Sequence, residues 1–238
     1  RELEIFYYTP EQIHRLFDNF KPRKNSLPMP VMMALALNTG YTQTDIQDLK
    51  YSHIEFYKGW AVAIKKRRSK TKQLMRHKLW KATAYLLMAY LSEHPKHNDD
   101  TIFLKPDGTP YVQTRFRERR TGENIMAMGI YQADTIGKSF KRLASRALAK
   151  DDVPAQFKLL RKSGSTAISQ ISTHDTIISE ALYLGHRTPS VSRQHYTKIE
   201  LPVLDDVLDK LEKHFNLDKY IPKPRRHYPT PPPELYED

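Results

Sequence analysis

Residues 181–198 read ALYLGHRTPSVSRQHYTK, and the rest of the chain is best understood outward from them. Leu182 and Leu184 suit the end of an apolar helix, and Gly185 suits the left-handed residue that stops one. His186 follows directly. After a short polar connector comes Tyr196, flanked by Arg193, His195 and Lys198. A tyrosine among cations can attack phosphorus, because neighbouring positive charge favours the phenolate and the charge that develops on a phosphate. The same tyrosine can equally be a packing residue with a wetted hydroxyl. A histidine just past a helix can simply complement the negative end of its dipole.

Bulk composition narrows the choice. The chain has 238 residues, 39% hydrophobic and 28% charged, with a formal net charge of +12. That is long enough for a sizeable core. There are no cysteines, which removes disulfides, thiolate catalysis and cysteine-based zinc sites. The 10 histidines are scattered without metal-ligand spacing, so no metal site is expected. No apolar run approaches the roughly 18 residues of a membrane span. Residues 1–196 carry 32 Lys/Arg against 18 Asp/Glu, whereas residues 197–238 carry 7 against 9. The excess of positive charge therefore belongs to the body, as expected of a folded surface that grips a polyanion.

Local signals then place the elements. Thr9-Pro10-Glu11-Gln12 is a helix start, with Ile13, Leu16 and Phe17 on one face. A helix from about Pro30 is apolar on nearly every side and ends at Asn38-Thr39-Gly40. Thr44 to Leu49 fits a short helix. Ile54–Phe56, a Lys58-Gly59 turn and Trp60–Ile64 read as a hairpin, with a third strand over Gln73–Leu79. Between the second and third strands lies KKRRSKTK, residues 65–72, and Lys65 to Lys81 holds nine Lys/Arg and no acid. Helices are expected over 82–91, 135–150, from Phe157 through Ile168, and from Ile177 to Leu184 with Asp175 as cap. Val112 to Arg120 holds four arginines but gives no clear element. The fold class is mainly α with a small antiparallel β-sheet. Residues 201–216 form an amphipathic helix that can dock on its own domain or exchange between protomers. Residues 217–238 are rich in proline and expected to be extended or disordered.

In this order, helix, Thr-Gly, short helix, basic hairpin, helices, Leu160-Arg161, Leu184-Gly185-His186 and Tyr196, the chain resembles the catalytic domain of the tyrosine recombinases, the phage integrase family, over roughly residues 5–200, which implies a catalytic domain over 1–200. Ser69-Lys70-Thr71 and Asp45-Ile46-Gln47-Asp48-Leu49 add to the resemblance. It implies site-specific cleavage and rejoining of double-stranded DNA through a 3′-phosphotyrosyl intermediate, with neither metal nor cofactor. Carried over, Tyr196 is the nucleophile, Arg161 an arginine on the phosphate, His186 the late histidine and Lys70 the hairpin lysine. Lys158 stands where the family usually has histidine. Lys65, Lys66, Arg67, Arg68, Lys72, Arg76 and Lys162 are the expected DNA contacts. Thr42 occupies the place of the family's first arginine, so a recombinase-like protein that binds DNA with little or no cleavage is the alternative reading. A basic helical nucleic-acid-binding protein unrelated to strand exchange is the more distant one. The resemblance further implies an upstream DNA-clamping domain, a tetramer on DNA with the isolated domain monomeric, and a prokaryotic or phage-derived, cytoplasmic, nucleoid-associated setting.

Overall fold

The structure is a computed structural model that describes residues 6–22, 27–67, 73–94, 100–121, 125–172, 174–186 and 197–236, without the side chains of 114–132 and 197–201. It opens with α1 (Pro10–Asp18), where Thr9 forms a reciprocal capping box with Gln12. Next comes α2 (Met29–Thr39), whose residues Val31 to Leu37 are at most 2% exposed. A helix with no polar face can only sit inside, and α2 is the post around which α4, α6 and α8 pack once they form. The short α3 (Gln43–Gln47) follows after the Gly40 turn.

A three-stranded antiparallel sheet comes next: β1 (Ile54–Tyr57), β2 (Trp60–Arg67) and β3 (Leu74–Lys78), in that order. Lys58 and Gly59 both have positive φ, the geometry of a two-residue hairpin turn whose twist matches its strands. The β2–β3 register pairs Ile64 with His77 and Lys66 with Met75. Asn38, fully buried at the end of α2, donates to the Lys78 carbonyl at 3.0 Å and accepts from the Trp80 N–H at 2.8 Å. One amide side chain thus joins α2 to the last strand and to the start of α4 (Lys81–Glu93).

The arginine-rich stretch after Tyr111, for which local signals give no clear element, is a strand. β4 (Val112–Thr121) and β5 (Ile125–Asp134) form a separate two-stranded antiparallel ribbon in unbroken register from Val112↔Asp134 to Thr121↔Ile125. Asp134 then caps α5 (Thr135–Ala147) by accepting from the Gly137 N–H. The remaining helices are α6 (Lys158–Ile171), α7 (Thr176–Leu184) and α8 (Thr197–Phe215).

At the C-terminus, both the helix and the tail lie against the body of the chain. Helix α8 lies against α6, α7 and β3 of its own chain, with Leu204, Val207, Leu208, Leu211 and Phe215 at most 3% exposed. At about 1.5–3 kcal/mol for each fully buried side chain, that stripe offers on the order of 10 kcal/mol gross. The helix also accommodates Pro202 and so begins at Thr197 rather than Leu201. The proline-rich tail is extended but anchored. Tyr220 stacks on Phe17 and donates to the His14 carbonyl at 2.8 Å. Tyr236 accepts from the Trp60 Nε1–H at 3.2 Å, and Glu234 pairs with Lys58. Aromatic anchors supply burial that a proline-rich composition alone does not suggest.

Candidate active site

Three chain segments meet at Arg161. One guanidinium nitrogen donates to the Gly40 carbonyl oxygen, and the other, Nη2, donates to the Leu184 carbonyl at 2.9 Å. The first carbonyl belongs to the turn that ends α2, the second to the last residue of α7. The side chain that the sequence assigns to phosphate is therefore fixed from both sides by backbone. A guanidinium carries five N–H donors in a rigid fork, enough to hold two carbonyls and a phosphate oxygen together.

The two turns that present these carbonyls are both built on left-handed glycine. Gly40 has φ +65, and a Cβ there would lie 3.0 Å from the Tyr183 carbonyl oxygen. Gly185 has φ 62; its N–H reaches the Leu182 carbonyl and the His186 N–H reaches the Ala181 carbonyl at 2.9 Å. This pair of bonds is the Schellman termination, and it fixes the backbone of His186 while the residue itself is exposed. Tyr183 is the wedge between the segments. It is fully buried, it donates to the Leu37 carbonyl at 2.7 Å, and its hydroxyl sits where a Cβ on Gly164 of α6 would be. Burial pushes the Tyr183 phenol well above its ordinary value, which favours the neutral donor.

On α6, Lys158 and Lys162 are exposed and Arg161 is half-buried. Spacings of three and four residues make Arg161 and Lys162 neighbours of Lys158 along the helix surface. Lys65 and Arg67 are exposed on β2. Arg68, Lys70, Lys72 and Tyr196 lie outside the described residues.

Two expected DNA contacts are placed otherwise. Lys66 is only 5% exposed. It shares strand parity with Ile64 and points inward, where its ammonium donates to the Asp45 carbonyl and stands 5.6 Å from the Tyr41 ring. Burial holds its pKa below the usual lysine value, against the opposing pull of Asp45 and Asp48. Arg76 is engaged by acids: its Nε bonds Glu55 at 2.7 Å, and Asp205 of α8 lies 3.9 Å from Nη1. A cation already neutralised by two carboxylates has little to offer a phosphate.

Thr42 has a structural task. Its hydroxyl accepts from the Asp45 N–H and donates to Asp45 Oδ2 at 2.7 Å, while Asp45 also accepts from the Thr42 N–H. The threonine caps α3 in a reciprocal box, and Lys66 is the cation that approaches this helix from below. His77 was not singled out by sequence. It is buried on β3, with Nε2 3.4 Å from the Tyr183 carbonyl and its ring edge-on to Tyr41 at 5.5 Å. The inward parity it shares with Met75 is the signal that could have found it. Among the described residues, no group of three or more His, Asp or Glu is arranged to hold a metal ion, and no helix is long and apolar enough to cross a membrane.

Solved structures with the same architecture are recombinases. XerA recombinase matches over 90% of this chain and 66% of its own, with a TM-score of 0.55 and 15% identity. The lambda integrase fragment 75–356 bound to DNA matches over 87% and 62%, with a TM-score of 0.54 and 17% identity. XerH site-specific recombinase, in a post-cleavage complex with its palindromic difH substrate, matches over 81% and 51%, with a TM-score of 0.52 and 16% identity. The chain spans about half to two thirds of the length of these proteins, and at such identities the likeness shows the fold. No curated protein sequence matches significantly. The profile of the phage integrase family matches residues 7–201, from the strand of chain before α1 through the start of α8. That range contains the Arg161 junction, both glycine turns and the basic hairpin, and the chain is thus a member of the phage integrase family.

Proposed function

We propose that this chain is the catalytic portion of a site-specific DNA recombinase that cuts and reseals double-stranded DNA through Tyr196. The observation that carries the reading is the Arg161 junction, in a chain matched by the family profile over residues 7–201. In the proposed step the Tyr196 oxygen attacks the scissile phosphorus as its proton leaves to a neighbouring base. A phosphotyrosyl bond forms to the 3′ side, the bond to the 5′ oxygen breaks, and Lys70 delivers a proton to that oxygen. Arg161, Lys158 and His186 stabilise the charge on the non-bridging oxygens. The phosphotyrosyl bond conserves the phosphodiester energy, so attack by a 5′ hydroxyl reverses the step and neither metal nor nucleotide is consumed. Assembly of a tetramer on DNA, in the cytoplasm of a prokaryotic or phage-infected cell, belongs to the same proposal.

A nicked suicide substrate tests it, because loss of the short strand traps the adduct. Wild type should yield a covalent protein–DNA species that is absent in Tyr196→Phe. DNA binding without any adduct would defeat the cleavage reading. The occupation of Thr42 by its capping box favours the second reading, a recombinase-like protein that binds DNA and cuts poorly. That outcome would establish it.

A further inference from the structure

The ribbon β4–β5 enters the core through Val112 at its base and then runs on for the length of both strands. Each strand is ten residues long, roughly 33 Å at about 3.3 Å per residue. Among the described side chains, its ties to the body are at its base. The Gln47 side-chain oxygen accepts from the Tyr111 and Val112 N–H groups at 2.6 and 3.1 Å, and Gln43 donates to Asp134 at 3.2 Å. Both glutamines belong to α3, the helix capped by Thr42. The ribbon therefore starts from the element that flanks the Gly40 turn.

Strand alternation divides the ribbon into two unlike faces. Arg115, Arg117 and Arg119 occupy alternate positions, and the register sets Tyr131, Gly129 and Ala127 opposite them. That face holds three cations and no acid, with two of the three cross-strand positions small. Phe116, Met126, Met128 and Ile130 fall on the other face, together with Glu118 and Arg120.

We infer that the Arg115–Arg117–Arg119 face of the ribbon is a second DNA-binding surface, an arm that lies along the duplex beside the cleavage site. Same-face residues on a strand are about 6.8 Å apart, twice the roughly 3.4 Å of axial rise per phosphate of a DNA strand, so three arginines can meet alternate phosphates along one strand. A two-stranded ribbon also has the width that the major groove admits. Arginine, always charged and forked, suits such contacts better than lysine. The anchoring to α3 couples the arm to the Gly40 turn that Arg161 holds.

The inference rests on the proposed function, and the test separates the two. DNA binding by the whole chain in a Tyr196→Phe background is measured against salt, for the unaltered ribbon, for R115Q/R117Q/R119Q and for R115K/R117K/R119K. Loss of three phosphate contacts should lower the slope of log affinity against log salt by about 2.7 and shorten the hydroxyl-radical footprint on one side. The lysine triple, which keeps the charge, should hold most of the slope and so excludes misfolding as the cause. A glutamine triple with unchanged slope and footprint overturns the arm while leaving the proposed function standing. Failure of the unaltered chain to bind DNA at low salt overturns both.

Discussion

Arg161 of α6 bonds the Gly40 carbonyl and, at 2.9 Å, the Leu184 carbonyl, so a single guanidinium joins the end of α2 to the end of α7. The residue is structural and, in the proposed reaction, catalytic, and the two roles separate by substitution. Arg161→Lys keeps a charge but cannot span two carbonyls in a fork. It should lower stability by about 1.5–3 kcal/mol, the range for a charge-assisted hydrogen bond, and lower adduct formation by on the order of 10²–10³. Urea unfolding and single-turnover cleavage at matched folded fraction would show both losses; a loss of stability alone would remove Arg161 from the chemistry.

Gly164→Ala should be far more damaging than a helical glycine-to-alanine exchange ordinarily is. Alanine favours a helix by about 1 kcal/mol, but here its Cβ would overlap the Tyr183 hydroxyl oxygen and lie 2.6 Å from the ring carbon bearing it. Overpacking of this kind costs about 1–3 kcal/mol or more, so the net change should be destabilising in a denaturant titration. Adding Tyr183→Phe should recover part of the loss.

Thr42→Arg exchanges a helix cap for a cation. Removing the capping hydroxyl should cost about 1 kcal/mol, while a guanidinium at this place should raise the yield of covalent adduct. Thr42→Ser, which keeps the cap, should leave both stability and adduct yield near wild type. No gain in adduct from the arginine variant would mean that the site is incomplete elsewhere.

Lys66 predicts an alkaline effect. Its folded pKa lies below the ordinary value because of burial, so between the two values the unfolded chain binds more protons than the folded one. Stability contributed by this residue therefore rises as pH climbs through that window and is flat below the folded pKa. Compared with Lys66→Met, wild type should gain relative stability as pH rises from neutrality toward about 10.4, the reference lysine value. An ammonium that titrates normally would give parallel stability curves for the two proteins.

In the tail, apolar anchoring should outweigh ion pairing. Glu234→Gln removes the exposed pair with Lys58 and should change stability by less than about 1 kcal/mol. Tyr236→Ala removes a ring packed near Tyr85 and the acceptor of the Trp60 N–H, at a cost of about 2–4 kcal/mol. Thermal unfolding of the two variants at one pH should rank them in that order.

What the sequence determined by itself is what short-range forces decide. The Thr9 box, the Asp175 cap, the left-handed Gly40 and Gly185 and the Lys58-Gly59 turn depend on residues a few positions apart, and all could be read from residue type and spacing. The all-round apolarity of α2 made it the buried centre for the same reason. Composition assigned the positive charge to the body. Tertiary structure alone decided which cations face outward. Nine Lys/Arg in one stretch look alike, yet strand parity and the shape beneath β2 bury Lys66, while acids from β1 and α8 occupy Arg76. It also decided that the stripe of α8 docks on its own chain and that aromatic anchors hold the tail. Such outcomes depend on partners far away in the chain, and local pattern carries no record of them.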